Sequence, residues 1–168
     1  MQFFPKLAEF IDRDTFTQNI EATLVGMMID PVFTIREQSA VALIQLSKNL
    51  FDQVWLERVI EPKLEELARH ERFMLRIQTI HLINQLKENV DAEFANRQFA
   101  RHLCSLAEDP VPNIRFNVSK AIGGCYASFD VSNKQKARTA LEKMASEDTD
   151  FDSKFYAQKT LEEIASRV

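Results

Sequence analysis

Apolar residues recur three and four positions apart along most of the chain, which is the spacing of one face of an α-helix. No segment keeps the period-two alternation of a half-buried β-strand. This stripe appears in four blocks, at Phe16, Ile20, Leu24 and Met27; at Leu56, Ile60, Leu64 and Leu67; at Phe99, Leu103 and Leu106; and at Ala137, Leu141 and Met144. A second stripe follows the first two blocks, at Ile35, Leu43 and Leu46 and at Leu75, Ile80, Ile83 and Leu86. The pattern predicts an all-α chain in which first and second helices alternate.

A short segment between the two helices is repeated along the chain. It begins at Asp30 and recurs from His70, Asp109 and Asp148, in steps of 40, 39 and 39 residues. A basic residue lies six positions further on each time, at Arg36, Arg76, Arg115 and Lys154. Repeats of this length are typical of proteins built from stacked helix pairs. We expect about four helix pairs from residue 13 to residue 168.

Three local features refine this prediction. Acidic residues precede the first helices at Asp14, Asp52, Asp91 and Asp130, where a carboxylate can accept the free amide hydrogens of the first turn. Pro62 lies inside the first helix of the second pair, where we expect a kink or a late start. The adjacent glycines 123 and 124 are expected to loosen the second helix of the third pair.

A pair of helices cannot cover its own apolar face, so neighbouring pairs must share a continuous core. This predicts one domain over residues 1–168, an α-solenoid of antiparallel helix pairs that forms an α–α superhelix. Residues 1–12 have the apolar pattern of a second helix without its first helix, so we expect the remnant of a preceding repeat. Its apolar face, with Phe3, Phe4, Leu7 and Phe10, would then favour self-association.

Composition narrows the classes of function. The chain has 168 residues, 45% of them hydrophobic and 27% charged, which is the balance of a folded globular protein. Its net charge of −4 gives no support to nucleic-acid binding, and the closest basic cluster, Lys134, Lys136 and Arg138, is offset by acidic neighbours. Three glycines are too few and too scattered for a dinucleotide or phosphate-binding loop. No apolar run approaches the roughly 18 residues of a membrane span, and the two cysteines follow no disulfide or metal-binding pattern.

Helix pairs of this length, with Asp-Pro turns and a following arginine, resemble HEAT repeats. The segment from Asp109 to Lys120, together with residues 152–158 and 32–37, closely resembles the C-terminal repeats of the scaffold (A, or 65-kilodalton regulatory) subunits of protein phosphatase 2A. Regulatory subunit 1 of protein phosphatase 4 is built alike and stays an alternative. The resemblance implies a non-catalytic scaffold in the cytoplasm, with the nucleus as a further location. Such a scaffold holds the catalytic subunit of a Ser/Thr phosphatase through its last repeats and a variable regulatory subunit through its N-terminal repeats. The second turn departs from this pattern, because it has His70-Glu71 where the family usually has Asp-Pro.

The resemblance also implies which residues face the partner. These are the turn positions Val32, Phe33, Phe73, Met74, Val111, Pro112 and Phe151. Large apolar side chains in turns favour an interface, although they could instead fold back onto the ridge between the helices. The repeated charges are interpreted as a structural ladder of ion pairs between adjacent repeats, with members Asp30, Arg36, Arg76, Asp109, Arg115 and Lys154.

Two other functions compete with the scaffold. A di-iron enzyme of the deoxyhypusine hydroxylase type uses several His-Glu pairs on similar helices, but this chain has only His70-Glu71. No nucleophile elbow or Cys-His signature is visible, so we expect no enzyme, no metal and no cofactor. A HEAT-repeat adaptor for another protein stays open, because a fold alone does not determine its partner.

Overall fold

The computed structural model describes residues 10–47 and 52–166. The chain divides into two compact units, Met1–Leu67 and Ala68–Val168, and each is described by itself. Described residues form helices and turns, with no strand among them. The predicted all-α class is therefore confirmed. The remnant of a preceding repeat falls mostly on residues 1–9, outside the described residues, and the single domain over 1–168 stays a prediction.

The first unit contains one complete helix pair and the first helix of the next. Its α-helical segments are α1 (Arg13–Asn19), α2 (Glu21–Met27), α3 (Phe33–Ser47), α4 (Gln53–Trp55) and α5 (Glu61–Ala68), with a π-helical segment Leu56–Ile60 between α4 and α5. Helix α2 packs against α3. The predicted apolar stripes supply most of its buried core, at Phe16, Leu24, Leu43, Leu46, Ile60, Leu64 and Leu67.

The second unit contains one second helix and two complete pairs. Its segments are α6 (Phe73–Leu86), α7 (Ala92–Phe94), a π-helical segment (Ala95–Phe99), α8 (Ala100–Leu106), α9 (Pro112–Cys125), a 3₁₀ turn (Tyr126–Ser128), α10 (Val131–Glu147) and α11 (Phe151–Ala165). The second helices pack side by side, α6 on α9 and α9 on α11, while α8 packs against α10. Within this unit the helix pairs stack as a solenoid predicts.

Each first helix begins with an aspartate that caps it. The capping carboxylates belong to Asp12, Asp52, Asp91 and Asp130, and each accepts the backbone N–H three residues further on. The expectation for the first pair was wrong, because Asp12 is the cap and Asp14 lies in the first turn of α1. With Asp12 as the first cap, the four capping aspartates recur in steps of 40, 39 and 39 residues, which are the same steps as those of the turns.

The irregularity expected at Pro62 has a different cause. A π-helical segment, Leu56–Ile60, ends two residues before this proline, and Pro62 is the second residue of α5. The next first helix has the equivalent segment, Ala95–Phe99, without any proline, and the break between α1 and α2 lies at Ile20. All three irregularities lie four to eight residues after the cap, so they recur in three of the four first helices and do not depend on Pro62, whereas α10 runs without a break.

Glycines 123 and 124 do not interrupt the second helix of the third pair, which runs through both. A Cβ atom on Gly123 would lie 3.0 Å from Cγ2 of Thr160, so this glycine lets α9 approach α11 closely. The hydroxyl of Thr160 donates a hydrogen bond to the carbonyl of Ser119 at 3.1 Å across the same contact. The predicted loosening is therefore corrected to close packing of two second helices.

Candidate partner-binding turn edge

Each turn between a first and a second helix contains the same kind of local hydrogen bond. In each, the side chain of the first turn residue accepts the backbone N–H two residues further on. The acceptors are carboxylate oxygens of Asp30 at 2.7 Å, Asp109 at 2.9 Å and Asp148 at 2.9 Å, and Nδ1 of His70 at 3.0 Å. An imidazole nitrogen thus performs the task of the missing aspartate, which explains why the turn at His70 keeps the same form.

Arginines six positions later brace these turns. Nη1 of Arg36 donates to the carbonyls of residues 30 and 31, at 2.7 and 3.0 Å. Nη1 of Arg76 donates to those of residues 70 and 71, both at 2.9 Å, and Nη1 of Arg115 to that of residue 109 at 2.8 Å. These carbonyls follow the end of the first helix and have no helical partner, so the guanidinium satisfies them.

Two of the arginines also link successive turns of the second unit. Arg76 donates through Nε and Nη2 to both carboxylate oxygens of Asp109, at 2.6 and 3.0 Å, and Arg115 binds Asp148 in the same way at 2.6 and 2.7 Å. The aspartate side chains are almost completely buried. Arg115 lowers the pKa of Asp148, and each carboxylate raises the pKa of its arginine. Bidentate, buried pairs of this kind hold one relative position of two repeats.

The remaining members of the expected ladder differ from these two pairs. Arg36 bonds to the carbonyl of Asp30, while the carboxylate of Asp30 serves its own turn. Lys154 makes no ion pair within the described part of the chain. Asp148 was not among the expected members, although it occupies the same turn position as Asp109 and could have been found from that register.

The turn residues expected to face a partner are mostly exposed. The exposed fractions are 52% for Val32, 46% for Phe33, 43% for Phe73, 45% for Met74 and 80% for Phe151. Pro112 is also exposed and Val111 is half-buried. Phe151 is therefore mostly exposed, while Phe33 and Phe73 are a little less than half exposed, so none of the three is fully buried against the ridge.

In the second unit these turn residues lie along one edge of the stacked helix pairs. The two arginine–aspartate pairs connect the turn at residue 70 to the turn at 109, and the latter to the turn at 148. Oγ of Ser153 also donates to the carbonyl of Pro112 at 3.3 Å. We call the set Phe73, Met74, Val111, Pro112 and Phe151 the turn edge. It presents apolar side chains on a backbone held by buried ion pairs.

A groove of about 410 Å³ lies between α8 and α10, beside the turns at 109 and 148. Glu108 and Lys143 form an ion pair of 2.8 Å at its margin, and Cys104 and Met144 line it. Burial raises the pKa of the Cys104 thiol, so this cysteine is not an activated nucleophile. No cluster of three or more His, Cys, Asp or Glu side chains suited to a metal occurs in residues 10–47 and 52–166. None of the described helices is long and apolar enough to cross a membrane.

The first unit holds a buried polar network that the sequence did not predict. The carboxylate of Glu21 accepts a hydrogen bond from Nε1 of Trp55 at 2.6 Å and two from the guanidinium of Arg58, both at 2.9 Å. Glu21 is only 7% exposed and raises the pKa of Arg58. It joins the first helices of two adjacent pairs, and no sequence signal distinguishes it from a solvated glutamate.

Stacked helix pairs with braced turns and an exposed apolar edge define a helical-repeat protein. The chain is similar to the regulatory A-type subunit of protein phosphatase PP2A from Schizosaccharomyces pombe, with 39% identity over 62 residues, which are 37% of this chain and 10% of that protein. It is also similar to the protein of the same name in Saccharomyces cerevisiae, with 28% identity over 124 residues, 68% of this chain and 19% of that protein. These relatives confirm the predicted resemblance. The matched part of the chain thus covers a fifth or less of the length of each of these relatives. No protein-family model matches the chain.

Proposed function

We propose that this chain is a non-catalytic scaffold segment that binds the catalytic subunit of a Ser/Thr protein phosphatase through its turn edge. The observation that carries the proposal is the row of exposed apolar side chains on turns braced by buried ion pairs, in a chain similar to two PP2A regulatory proteins of the A type. Its place of action is the cytoplasm, with the nucleus as a second location.

The mechanism is geometric. The apolar anchors Phe73, Met74 and Phe151 enter pockets of the partner, and polar residues around them exclude water. Because the turns are already held in place, little ordering is required when the partner binds. The scaffold contributes position rather than chemistry to dephosphorylation.

Capture of purified catalytic subunits by the chain tests this proposal. The wild-type chain should retain the catalytic subunit of protein phosphatase 2A or 4, and the double variant Phe73→Asp with Phe151→Asp should bind at least about tenfold more weakly. Circular dichroism of the variant should stay that of the wild type, since both side chains are exposed.

Val131→Asp is the matched control. Val131 is an apolar residue, 87% exposed, at the start of a first helix and away from the turn edge. This variant should bind as the wild type does. If the folded wild-type chain retains neither catalytic subunit, the chain is an adaptor for another partner. If both variants bind equally well, the turn edge is not the binding surface.

A further inference from the structure

A second surface, next to the turn edge, lies on the second helices α9 and α11. Three rings form a chain of contacts there. The centroids of Phe116 and Tyr156 are 5.7 Å apart, and Phe155 meets Tyr156 edge to face at 5.3 Å. Phe155 is 51% exposed, and it stacks on Phe151 of the turn edge at 6.4 Å. The surface is thus continuous with the turn edge but is built from residues further along the helices.

One lysine lies over two of these rings. Nζ of Lys120 lies 3.8 Å from the centroid of Tyr156 and 4.7 Å from that of Phe116. Both distances are within the range of cation–π attraction. We call Phe116, Lys120, Phe155 and Tyr156 the aromatic–lysine face.

A second lysine lies against α9, one helical turn beyond Lys120. Nζ of Lys87 is 3.0 Å from the position that a Cβ atom of Gly124 would occupy. The absence of a side chain at this glycine therefore lets Lys87 rest on α9, near Lys120. The ammonium group of Lys87 thus lies one helical turn along α9 from the position of Lys120.

Neither of these two lysines forms the kind of ion pair that some cations of the unit have. On the first helices, Lys143 binds Glu108 at 2.8 Å and Arg138 binds Glu142 at 2.9 Å. Neither Lys87 nor Lys120 forms an ion pair with any of the residues that the structure describes. The face therefore combines the exposed ring of Phe155 with two lysines that form no ion pair in the described part of the chain.

From this combination we infer that the aromatic–lysine face binds an extended acidic peptide segment whose apolar side chain packs on the exposed ring of Phe155. A carboxylate next to that side chain pairs with Lys120, and a second carboxylate reaches Lys87. Ring contacts supply the affinity, and the lysines select acidic over neutral or basic segments. Such binding does not require a phosphatase as the partner.

The probe is an acetylated and amidated pentapeptide, Glu-Phe-Glu-Leu-Glu, titrated into the isotopically labelled full chain. The backbone amide chemical shifts of Lys120 and Tyr156 should change as the peptide is added. The neutral analogue Gln-Phe-Gln-Leu-Gln should bind about fivefold more weakly, and Glu-Ser-Glu-Ser-Glu should show no saturable binding. Lys120→Gln should reduce binding of the acidic peptide to the level of its neutral analogue.

Lys134→Gln is the matched control, because Nζ of Lys134 lies 5.8 Å from the ring of Tyr126, away from this face. It should leave the titration unchanged, whereas Phe155→Ser should weaken both peptides. Equal binding of the acidic and neutral peptides, or shifts confined to other surfaces, would overturn the inference. So would a dimer in sedimentation that Phe155→Ser dissociates, because a second copy would then cover the face.

Discussion

Arg115 joins two successive turns through Asp148. Its Nε and Nη2 donate to the two carboxylate oxygens of Asp148 at 2.6 and 2.7 Å, while its Nη1 donates to the carbonyl of Asp109 at 2.8 Å. The same carboxylate accepts the backbone N–H of Asp150 at 2.9 Å. The Arg115–Asp148 pair therefore binds both the end of one first helix and the next turn, and so fixes the distance between them. Such a pair gives specificity of geometry, even where its net contribution to stability is small.

Removing the charge of Asp148 should destabilise the chain strongly. In Asp148→Asn an amide oxygen can still accept the N–H of the turn, but the buried guanidinium of Arg115 loses its counter-charge, which costs about 3 kcal/mol. Urea unfolding followed by circular dichroism measures this change. The double variant Arg115→Met with Asp148→Asn should recover part of the loss, because no buried charge is left unpaired. A double variant as unstable as the sum of the two single variants would show that the pair is not coupled.

Acid should weaken the same pair. Arg115 holds the pKa of Asp148 below its ordinary value in the folded chain, so the unfolded chain takes up this proton first as the pH falls. The stabilisation is therefore fully present above about pH 4 and is lost as the pH falls through the lower, folded pKa. Urea midpoints of the wild type and Asp148→Asn at pH 6, 4 and 3 should converge. All other carboxylates are the same in the two proteins, so a difference that stays constant with pH would contradict this assignment.

A methyl group at position 123 should be unfavourable although the residue is helical. Alanine normally stabilises a helix relative to glycine by up to about 1 kcal/mol, but Gly123→Ala places a carbon 3.0 Å from Cγ2 of Thr160. We expect a lower melting temperature. Thr160→Ser removes that methyl group and keeps the hydroxyl that bonds to Ser119, so Gly123→Ala in this background should cost less.

Gly26→Ala provides the control for this prediction. Gly26 lies in α2, and a Cβ atom there would meet nothing within 4 Å. The substitution should raise the melting temperature slightly, through helix propensity alone. If Gly123→Ala stabilised the chain as much as Gly26→Ala, the close approach of α9 and α11 would not be required.

Substitutions at Asp12 and Asp14 test which of the two aspartates caps α1. Asp12 accepts the N–H of Thr15 at 2.8 Å, and this hydrogen bond is the largest cause of its lowered pKa. Asp12→Ala should lower the melting temperature, whereas Asp14→Ala, two residues further on, should have a much smaller effect. Asp12→Asn should resemble the wild type, because its amide oxygen can cap the same helix. A larger loss in Asp14→Ala would restore Asp14 as the capping residue.

The helix pairs and their turns were predictable because their signals are local. Apolar spacing, a capping aspartate and a turn acceptor act within a few residues of each other. The first cap was the exception, because Asp12 and Asp14 both precede the same apolar stripe and only the backbone distinguishes them. Likewise, Pro62 suggested a local disturbance, but a π-helical segment also occurs in the next first helix, which has no proline.

The contacts that build the candidate site were less predictable. The repeat predicted ion pairs between arginines and turn aspartates, and the apolar turn residues were visible as exceptions to the usual polar turn. The exposure of Phe33, Phe73 and Phe151 could not be inferred, because a phenylalanine in a turn can pack against the ridge or face solvent with the same sequence around it. Their binding of a partner stays a prediction.

By itself, the sequence determined an all-α chain of helix pairs repeated about every 39 residues, and its similarity to PP2A regulatory proteins of the A type. It could do so because period, capping and turn formation depend on neighbours along the chain. Only the tertiary structure decided that Arg115 meets Asp148, that Glu21 is buried beside Trp55, and that Lys120 covers the ring of Tyr156. These residues are 33 to 36 positions apart, and they meet because stacked helices bring successive repeats into contact at side-chain distances that no local pattern encodes.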